Sequence, residues 1–515
     1  MIVNVLVLLS FVSKVLSALS LASYYGDHMV LQKGPSRSQL WGYADTVGVT
    51  VTAQVRPGGD PVHTKTVLHQ GPGMVIWKVM LPAEDGAGPY YIDVTSSESN
   101  VTINDVMFGD VWVCSGQSNM QFTLSMVNNF SSEIADAENY PDIRLMTVDQ
   151  QWSATPKFDI EDIEENWTRP NKDAVGHSDW TYFSAVCWLY GKYLYQTLNR
   201  PIGLIASTWG GTPIEAWSSN DAMRVCNTTS TNHNSVHASI APQDKPTQLW
   251  NAMIHPLLNM TIYGAIWYQG EANAGAPDSY ACRFKAMIDD WRSKFEEASY
   301  GQTHAVFPFG FVQLAPNKNE SSMVKGFPDI RWHQTYDEGY VPNTELPSVF
   351  MAVAADLPDF DSPFGSVHPR DKQDVAHRLV LSALQVAYNN TSMGRYQGPK
   401  ISAYFSDIGY HTLRLEFDHG EGLGVVVNMN YTGVGFEVCC SRNNQSKCDG
   451  TDSNWQPAPL KGSDKYGVTM GSCVDLWTMG VRYLWRESPC GFKNCPVYTK
   501  ENDLPMAPFI VNGIL

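Results

Sequence analysis

Hydrophobic positions change their rhythm twice along this chain. From residue 21 to 105 they come as short alternating or β-branched runs, at 49–55, 66–69, 75–81, 90–94 and 101–103. Proline- and glycine-rich turns at 57–59 and 71–73 punctuate them. That pattern predicts a small all-β domain of sandwich type. From 106 to 392, apolar runs at 106–113, 201–206, 264–268, 307–314 and 349–354 alternate with helical periodicity at 187–198, 280–297 and 371–388. Alternation of strand and helix predicts an α/β three-layer domain with a parallel sheet, because parallel neighbours need crossover connections. From 393 to 515 short β-like runs return, at 400–405, 413–417, 424–428, 435–439 and 481–485. A second small β domain is expected there. The acidic stretch 159–165 reads as a solvated loop.

The first 20 residues form an apolar run that is broken at Lys14 and ends in Ala18-Leu19-Ser20. They read as a secretory signal peptide, too short and interrupted to span a bilayer. No later segment reaches 18 consecutive apolar residues. The expectation is a protein of the secretory pathway with no membrane span, lysosomal or secreted. Ten Asn-x-Ser/Thr sequons agree, at Asn100, Asn129, Asn166, Asn227, Asn259, Asn319, Asn389, Asn390, Asn430 and Asn444. So do the cysteines. Six of the ten (Cys439, Cys440, Cys448, Cys473, Cys490 and Cys495) crowd into the last 80 residues, at spacings that suit disulfides better than zinc. Cys114 and Cys187 lie in apolar runs and read as buried free thiols. The net charge of −17 argues against nucleic acid or an anionic membrane as partner, since both attract basic surfaces. Oligomeric state has no signature here.

Candidate chemistry begins with Gly-Asp-Val-Trp-Val-Cys-Ser-Gly-Gln-Ser-Asn-Met at 109–120. A β-branched run breaks abruptly into small polar residues. Open α/β sheets place their active sites where a buried strand ends in this way. Ser118 would then stand at the mouth of the sheet, its N–H free at the start of a helix expected over 120–127. Three other strand ends carry similar signals. Gly210 and Gly211 follow the run at 201–206 and permit close backbone approach to an oxygen. Gln269, Glu271 and Asn273 follow the run at 264–268, and a side-chain amide is a neutral donor for a developing oxyanion. His368 follows Asp356, Asp359 and Asp361 just before the helical stretch at 371. Each signal alone reads as an ordinary turn. Together they supply nucleophile, donors and base. Neither a GxxxxGK[ST] phosphate loop nor HExxH occurs, and no cofactor or metal is expected.

These strings occur in the order of a known family. ASYYGDHMVLQK at 22–33, GDVWVCSGQSNM at 109–120, IGLIASTWGGTPIEAW at 202–217, WNAMIHPL at 250–257, WYQGEAN at 267–273 and SPFGSVHPRDKQ at 362–373 resemble the SGNH-type carbohydrate esterases, and more closely the sialate O-acetylesterases. The quoted motifs stop near residue 373. The resemblance implies an SGNH-hydrolase-like fold flanked by small β domains. It implies hydrolysis of 9-O-acetyl and 4-O-acetyl esters of sialic acids or sialoglycoconjugates. Ser118 resembles the nucleophile and His368 the base. Gly211 (or Gly210) and Asn273 resemble the residues that complete the oxyanion hole with Ser118. Many members of the wider fold carry the triad acid three residues before the histidine; that position here is Gly365. Asp361 is the first choice for the acid, with Asp359, Glu271 or a backbone carbonyl behind it. A sialic acid carries a carboxylate, so Arg331 and Arg370 are candidates to receive it, with Gln269 and Glu271 as further substrate contacts. The alternatives are an acetylesterase for other sugars and a carbohydrate-binding glycoprotein without catalysis. The second would be expected to lack Ser118, His368 or Asn273, and all three are present.

Overall fold

The computed structural model describes residues 19–69, 73–226, 241–418, 424–443, 448, 450 and 453–514. Most of the expected signal peptide and the sequons at Asn227 and Asn444 lie outside the described residues.

The centre is a sheet of six parallel strands with one antiparallel edge. Its strands are β1 (Asn100–Gly116), β2 (Ile143–Val148), β3 (Ile163–Thr168), β4 (Ile202–Thr208), β5 (Gly264–Tyr268), β6 (Phe309–Gln313) and β7 (Val349–Val353). Their order across the sheet is β3-β2-β4-β1-β5-β6-β7. Strands β2 and β4 to β7 are buried at every position, as strands covered on both faces must be. Helix α1 (Ser118–Gln121) follows β1 directly, and α2 (Ala185–Leu198), α3 (Tyr280–Ala298) and α4 (Lys372–Val386) supply the layers. On one face α2 packs against α4, and Trp112 of β1 sits edge-on to Tyr190 and Phe350. On the other face α3 brings Phe284 and Trp291 against Phe309, Phe311 and Trp267. The fold is the expected three-layer α/β arrangement. The helix expected over 120–127 is only the single turn of α1, followed by a 3-10 turn at Leu124–Met126.

The change in sequence character at 105–106 falls inside β1, a continuous strand of 17 residues. Its first half pairs with Tyr90–Thr95 and its middle with Val30–Gln32, so part of the N-terminal β region is continuous with the central sheet. A separate four-stranded sheet is built from Leu19–Leu21, Gln39–Ala44, Val75–Met80 and Val67–Leu68. The C-terminal region holds two four-stranded antiparallel sheets over its own core of Leu413, Leu415, Phe417, Val438, Val468 and Val481.

All ten cysteines are bridged: Cys114–Cys187, Cys226–Cys282, Cys439–Cys448, Cys440–Cys473 and Cys490–Cys495. The clustered six pair as expected. Cys114 and Cys187 are not free thiols. They tie β1 to α2 across 73 residues, a proximity created only when the helix lies on the sheet. Five disulfides are the mark of an extracytoplasmic protein. Among the described residues no helix is long and apolar enough to cross a membrane. The sequon at Asn259 is buried, its Oδ1 accepting from Gln39 and Lys78, which closes it to a glycan.

Candidate active site

After β1 the chain builds β2 and β4 on one side, then crosses to β5, β6 and β7 on the other. The carboxyl end of β1 is therefore the topological switch point, where neighbouring connections diverge and open a crevice. Ser118 stands there. Gly116 makes the turn at φ +138°, and a Cβ at that position would collide with the Tyr268 carbonyl. Gln117 anchors the turn: its N–H donates to Tyr268 O at 3.0 Å, and its Oε1 accepts from Ala272 N at 3.2 Å. Ser118 begins α1, so its own N–H has no partner within the helix.

His368 reaches Ser118 from the loop between β7 and α4. That loop is a succession of turns, with Gly365 N–H donating to Ser362 O and His368 N–H to Gly365 O. The Ser362 hydroxyl donates to the His368 carbonyl at 2.7 Å. The imidazole lies with Nε2 at 2.7 Å from Ser118 Oγ and Nδ1 at 2.7 Å from the Phe364 carbonyl. A carbonyl only accepts, so Nδ1 carries the hydrogen and Nε2 turns its lone pair to the serine hydroxyl. Burial lowers the His368 pKa from its usual value; the Phe364 bond opposes this and the Lys372 ammonium adds to the lowering. The imidazole is thus neutral near pH 7, as a proton acceptor must be.

The structure does not bring Asp361 to the imidazole. Its side chain is exposed, and the place expected for it is taken by the Phe364 carbonyl. Asp359 is bound by Arg370, with Nε–Oδ2 at 2.7 Å and Nη2–Oδ1 at 2.9 Å. Asp356 is buried against Arg378. Glu271 accepts from Asn119 Nδ2 at 2.6 Å.

The donors expected for an oxyanion are the N–H groups of Ser118 and of Gly210 or Gly211, and the Asn273 amide. Gly210 N–H is occupied by Gln121 Oε1 at 2.9 Å. Among the described residues, Gly211 N–H and Ser118 N–H have no acceptor. Gly211 turns at φ +77°, with open space where a Cβ would stand. Of the two glycines, Gly211 is therefore the one with its N–H unoccupied among the described residues. Asn273 has its Oδ1 held by Ile214 N–H at 3.0 Å and Gln269 Nε2 at 2.7 Å. These bonds fix the amide orientation. One Nδ2 hydrogen goes to Glu215 at 2.9 Å, which leaves the other available.

Neither arginine singled out for a carboxylate is free. Arg331 is fully buried and donates to the carbonyls of Leu314, Arg486 and Glu487, joining the α/β domain to the C-terminal region. Arg370 is spent on Asp359. Gln269 is fully buried too, held by Tyr280 and turned toward Asn273 and Thr212. Burial raises the Glu271 pKa. Arg331 and Gln269 are closed off from solvent, while Glu271 and Arg370 are only partly buried.

Sequence reasoning missed several groups around the dyad. Asn119 links Glu271, the Val367 carbonyl and Lys372. Gln121 bridges Gly210 to the Trp180 carbonyl. Trp180, at φ +64°, sets its ring edge-on to His368 at 5.0 Å. Asn119, Gln121 and Lys372 stand in or beside the quoted motifs, which was a usable signal. Trp180 had none. Among the described residues no three His, Cys, Asp or Glu side chains cluster as a metal site would require.

Comparison with known proteins bears on the whole chain. Residues 108–362 match the family model for carbohydrate esterases described as sialic acid-specific acetylesterases. Residues 402–513 match the sialate O-acetylesterase C-terminal domain, where no motif could be quoted from sequence. Sialate O-acetylesterases of Rattus norvegicus and Homo sapiens are each 41% identical to this chain, over 95% of its length and 93% and 92% of theirs. Among solved structures, a carbohydrate acetylesterase from Xanthomonas citri superposes with a TM-score of 0.76 at 27% identity, covering 96% of this chain and 99% of that one. Ser118, Gly211 and Asn273 fall within the first matched region, while His368 lies just beyond it. At this identity and coverage the chain belongs to the sialic acid-specific acetylesterase family of carbohydrate esterases.

Proposed function

We propose that this chain hydrolyses O-acetyl esters of sialic acids by acyl transfer to Ser118. The observation that carries the reading is the Ser118–His368 pair at 2.7 Å, with its imidazole tautomer fixed by the Phe364 carbonyl. A serine hydroxyl is barely ionised at neutral pH and needs such a base. His368 Nε2 takes the Oγ proton as Oγ bonds to the acetyl carbon. The carbonyl oxygen gains charge and is met by Ser118 N–H, Gly211 N–H and Asn273 Nδ2. The imidazolium then returns its proton to the departing sugar oxygen, and the acetyl group stays on Ser118. Water enters, gives a proton to Nε2 and attacks the acyl carbon; the acyl–Oγ bond then breaks, the imidazolium returns its proton to Ser118 Oγ, and acetic acid leaves to ionise as acetate.

The acetyl group offers nothing to discriminate one sugar ester from another. Selectivity therefore lies with the walls that hold the sugar. Trp180, beside His368, is placed to act as one of them. With Arg331 and Arg370 both engaged, recognition of the sialic acid carboxylate rests on other donors. The lysosomal lumen or the extracellular space is the proposed site of action. A His368 held neutral below its usual range suits an acidic lumen.

Two outcomes follow for the site. Asn273→Ala should lower kcat roughly 10²–10³-fold with KM nearly unchanged, because an oxyanion donor acts on the transition state. Steady-state kinetics on an acetyl ester checks this; a change in KM alone would move Asn273 to substrate recognition. Asp361→Asn should leave turnover near that of the parent enzyme, since a backbone carbonyl orients the imidazole. A tautomer error would instead cost roughly 10⁴-fold. The function is tested by incubating purified protein with 9-O-acetyl and 4-O-acetyl sialic acid, N-acetyl sialic acid and acetylated neutral sugars, and measuring acetate. Release from the O-acetyl sialic acids is expected. Release only from neutral sugars would overturn the substrate assignment.

A further inference from the structure

Lys372 is an expensive residue to keep where it is. Its ammonium is fully buried. It also opens helix α4, at the end where the helix dipole repels a cation. The ammonium donates to Asn119 Oδ1 at 2.6 Å. The rings of Phe122 and Tyr268 lie against it, with centroids at 4.7 and 5.1 Å. Burial pushes its pKa down to about 7, against the opposing charges of Glu271, Asp371 and Asp359. A cation so placed is a net cost to folding unless its interactions are well made.

What surrounds it suggests the return. The Asn119 amide stands between Lys372 and Glu271, its oxygen toward the ammonium and its NH2 toward the carboxylate at 2.6 Å. The second Nδ2 hydrogen goes to the Val367 carbonyl at 2.8 Å. Asn119 follows the nucleophile, and Val367 precedes the base. One side chain therefore joins the serine turn, the loop after β5, the histidine loop and α4. The opposite charges at its two ends fix which way it faces.

We propose that the buried ammonium of Lys372, acting through the Asn119 amide, is the positioning group of the Ser118–His368 dyad: it locks the histidine loop to the nucleophile's turn. The dyad has no acid side chain to place its imidazole, and this network performs that task from behind. The charged groups that bear on Lys372 are Glu271 after β5, Asp359 in the histidine loop and Asp371 on its own element; Asp359 is largely offset by Arg370. Lys372 is the cation that bears on His368.

The inference rests on the dyad reading given above, and its test separates the two. Lys372→Met and the double variant Lys372→Met/Glu271→Gln are compared with the parent enzyme by kcat, KM and the pH profile of kcat/KM on an acetyl ester. The double variant removes both charges at the two ends of the Asn119 amide. In both variants kcat should fall roughly 10–100-fold with KM little changed, as a small misplacement of reacting groups produces. The acid limb of kcat/KM should move to higher pH, because a cation that lowers the imidazole pKa has been removed. Normal turnover with the limb unmoved, or an effect confined to KM, would overturn the proposal. So would failure of both variants to fold by circular dichroism, which would assign Lys372 to the fold. An inactive parent enzyme would instead defeat the dyad reading itself.

Discussion

Ser118→Ala is expected to yield a folded protein that releases no measurable acetate. The hydroxyl bonds to His368, and the residue is only half-buried, so its loss should cost stability about 1 kcal/mol or less. Alanine keeps the Ser118 Cβ and removes only the hydroxyl. The turn set by Gly116 and Gln117 is untouched. Turnover, by contrast, should drop by roughly 10⁶, the loss seen when a nucleophile–base unit is broken. Thermal denaturation and acetate release on one preparation separate the two effects. A Ser118→Ala protein with substantial activity would require another nucleophile.

His368→Ala is expected to be nearly as damaging. Without Nε2 no acceptor stands at 2.7 Å from the hydroxyl, and the serine proton has no route away. The two residues act as a unit, so the Ser118→Ala/His368→Ala double variant should be no slower than either single one. The parent enzyme's pH profile carries the same information. Because burial lowers the His368 pKa below 6.5, the acid limb of kcat/KM should lie below that value. The sign follows from the role: a base works deprotonated, so a lowered pKa extends activity toward acid. His377→Ala is the control. His377 sits on α4 with its ring edge against Tyr193 at 6.2 Å, and turnover should stay near that of the parent. If His377→Ala were the more harmful change in a folded protein, the base would be misassigned.

What could be read from sequence, and what could not, follows physical lines. Strand β1 and its neighbours were legible because buried parallel strands are continuous apolar runs, and their small polar endings drew attention to Ser118, to Gly210 or Gly211, and to Asn273. Strand β2 escaped because Arg144 interrupts its run; that arginine is buried and pairs with Asp105 at 3.3 Å, on β1. The carbonyl partner of His368 stood only as an alternative behind Asp361, because a backbone carbonyl has no residue signature and an aspartate offers a visible one. Arg331 looked like a free cation. Its true acceptors include carbonyls 155 and 156 positions away, which only the folded chain brings to it. The Cys114–Cys187 bridge is the same kind of long-range fact.

The central claim is that Ser118 is a nucleophile made reactive by His368. Its most direct measurement is covalent labelling with a serine-directed phosphonate, read by intact mass and peptide mapping. One adduct per chain is expected, on Ser118, and His368→Ala should abolish or greatly slow its formation while the protein remains folded. An adduct on a different residue, or labelling of Ser118 at the parent rate in the absence of His368, would contradict the account.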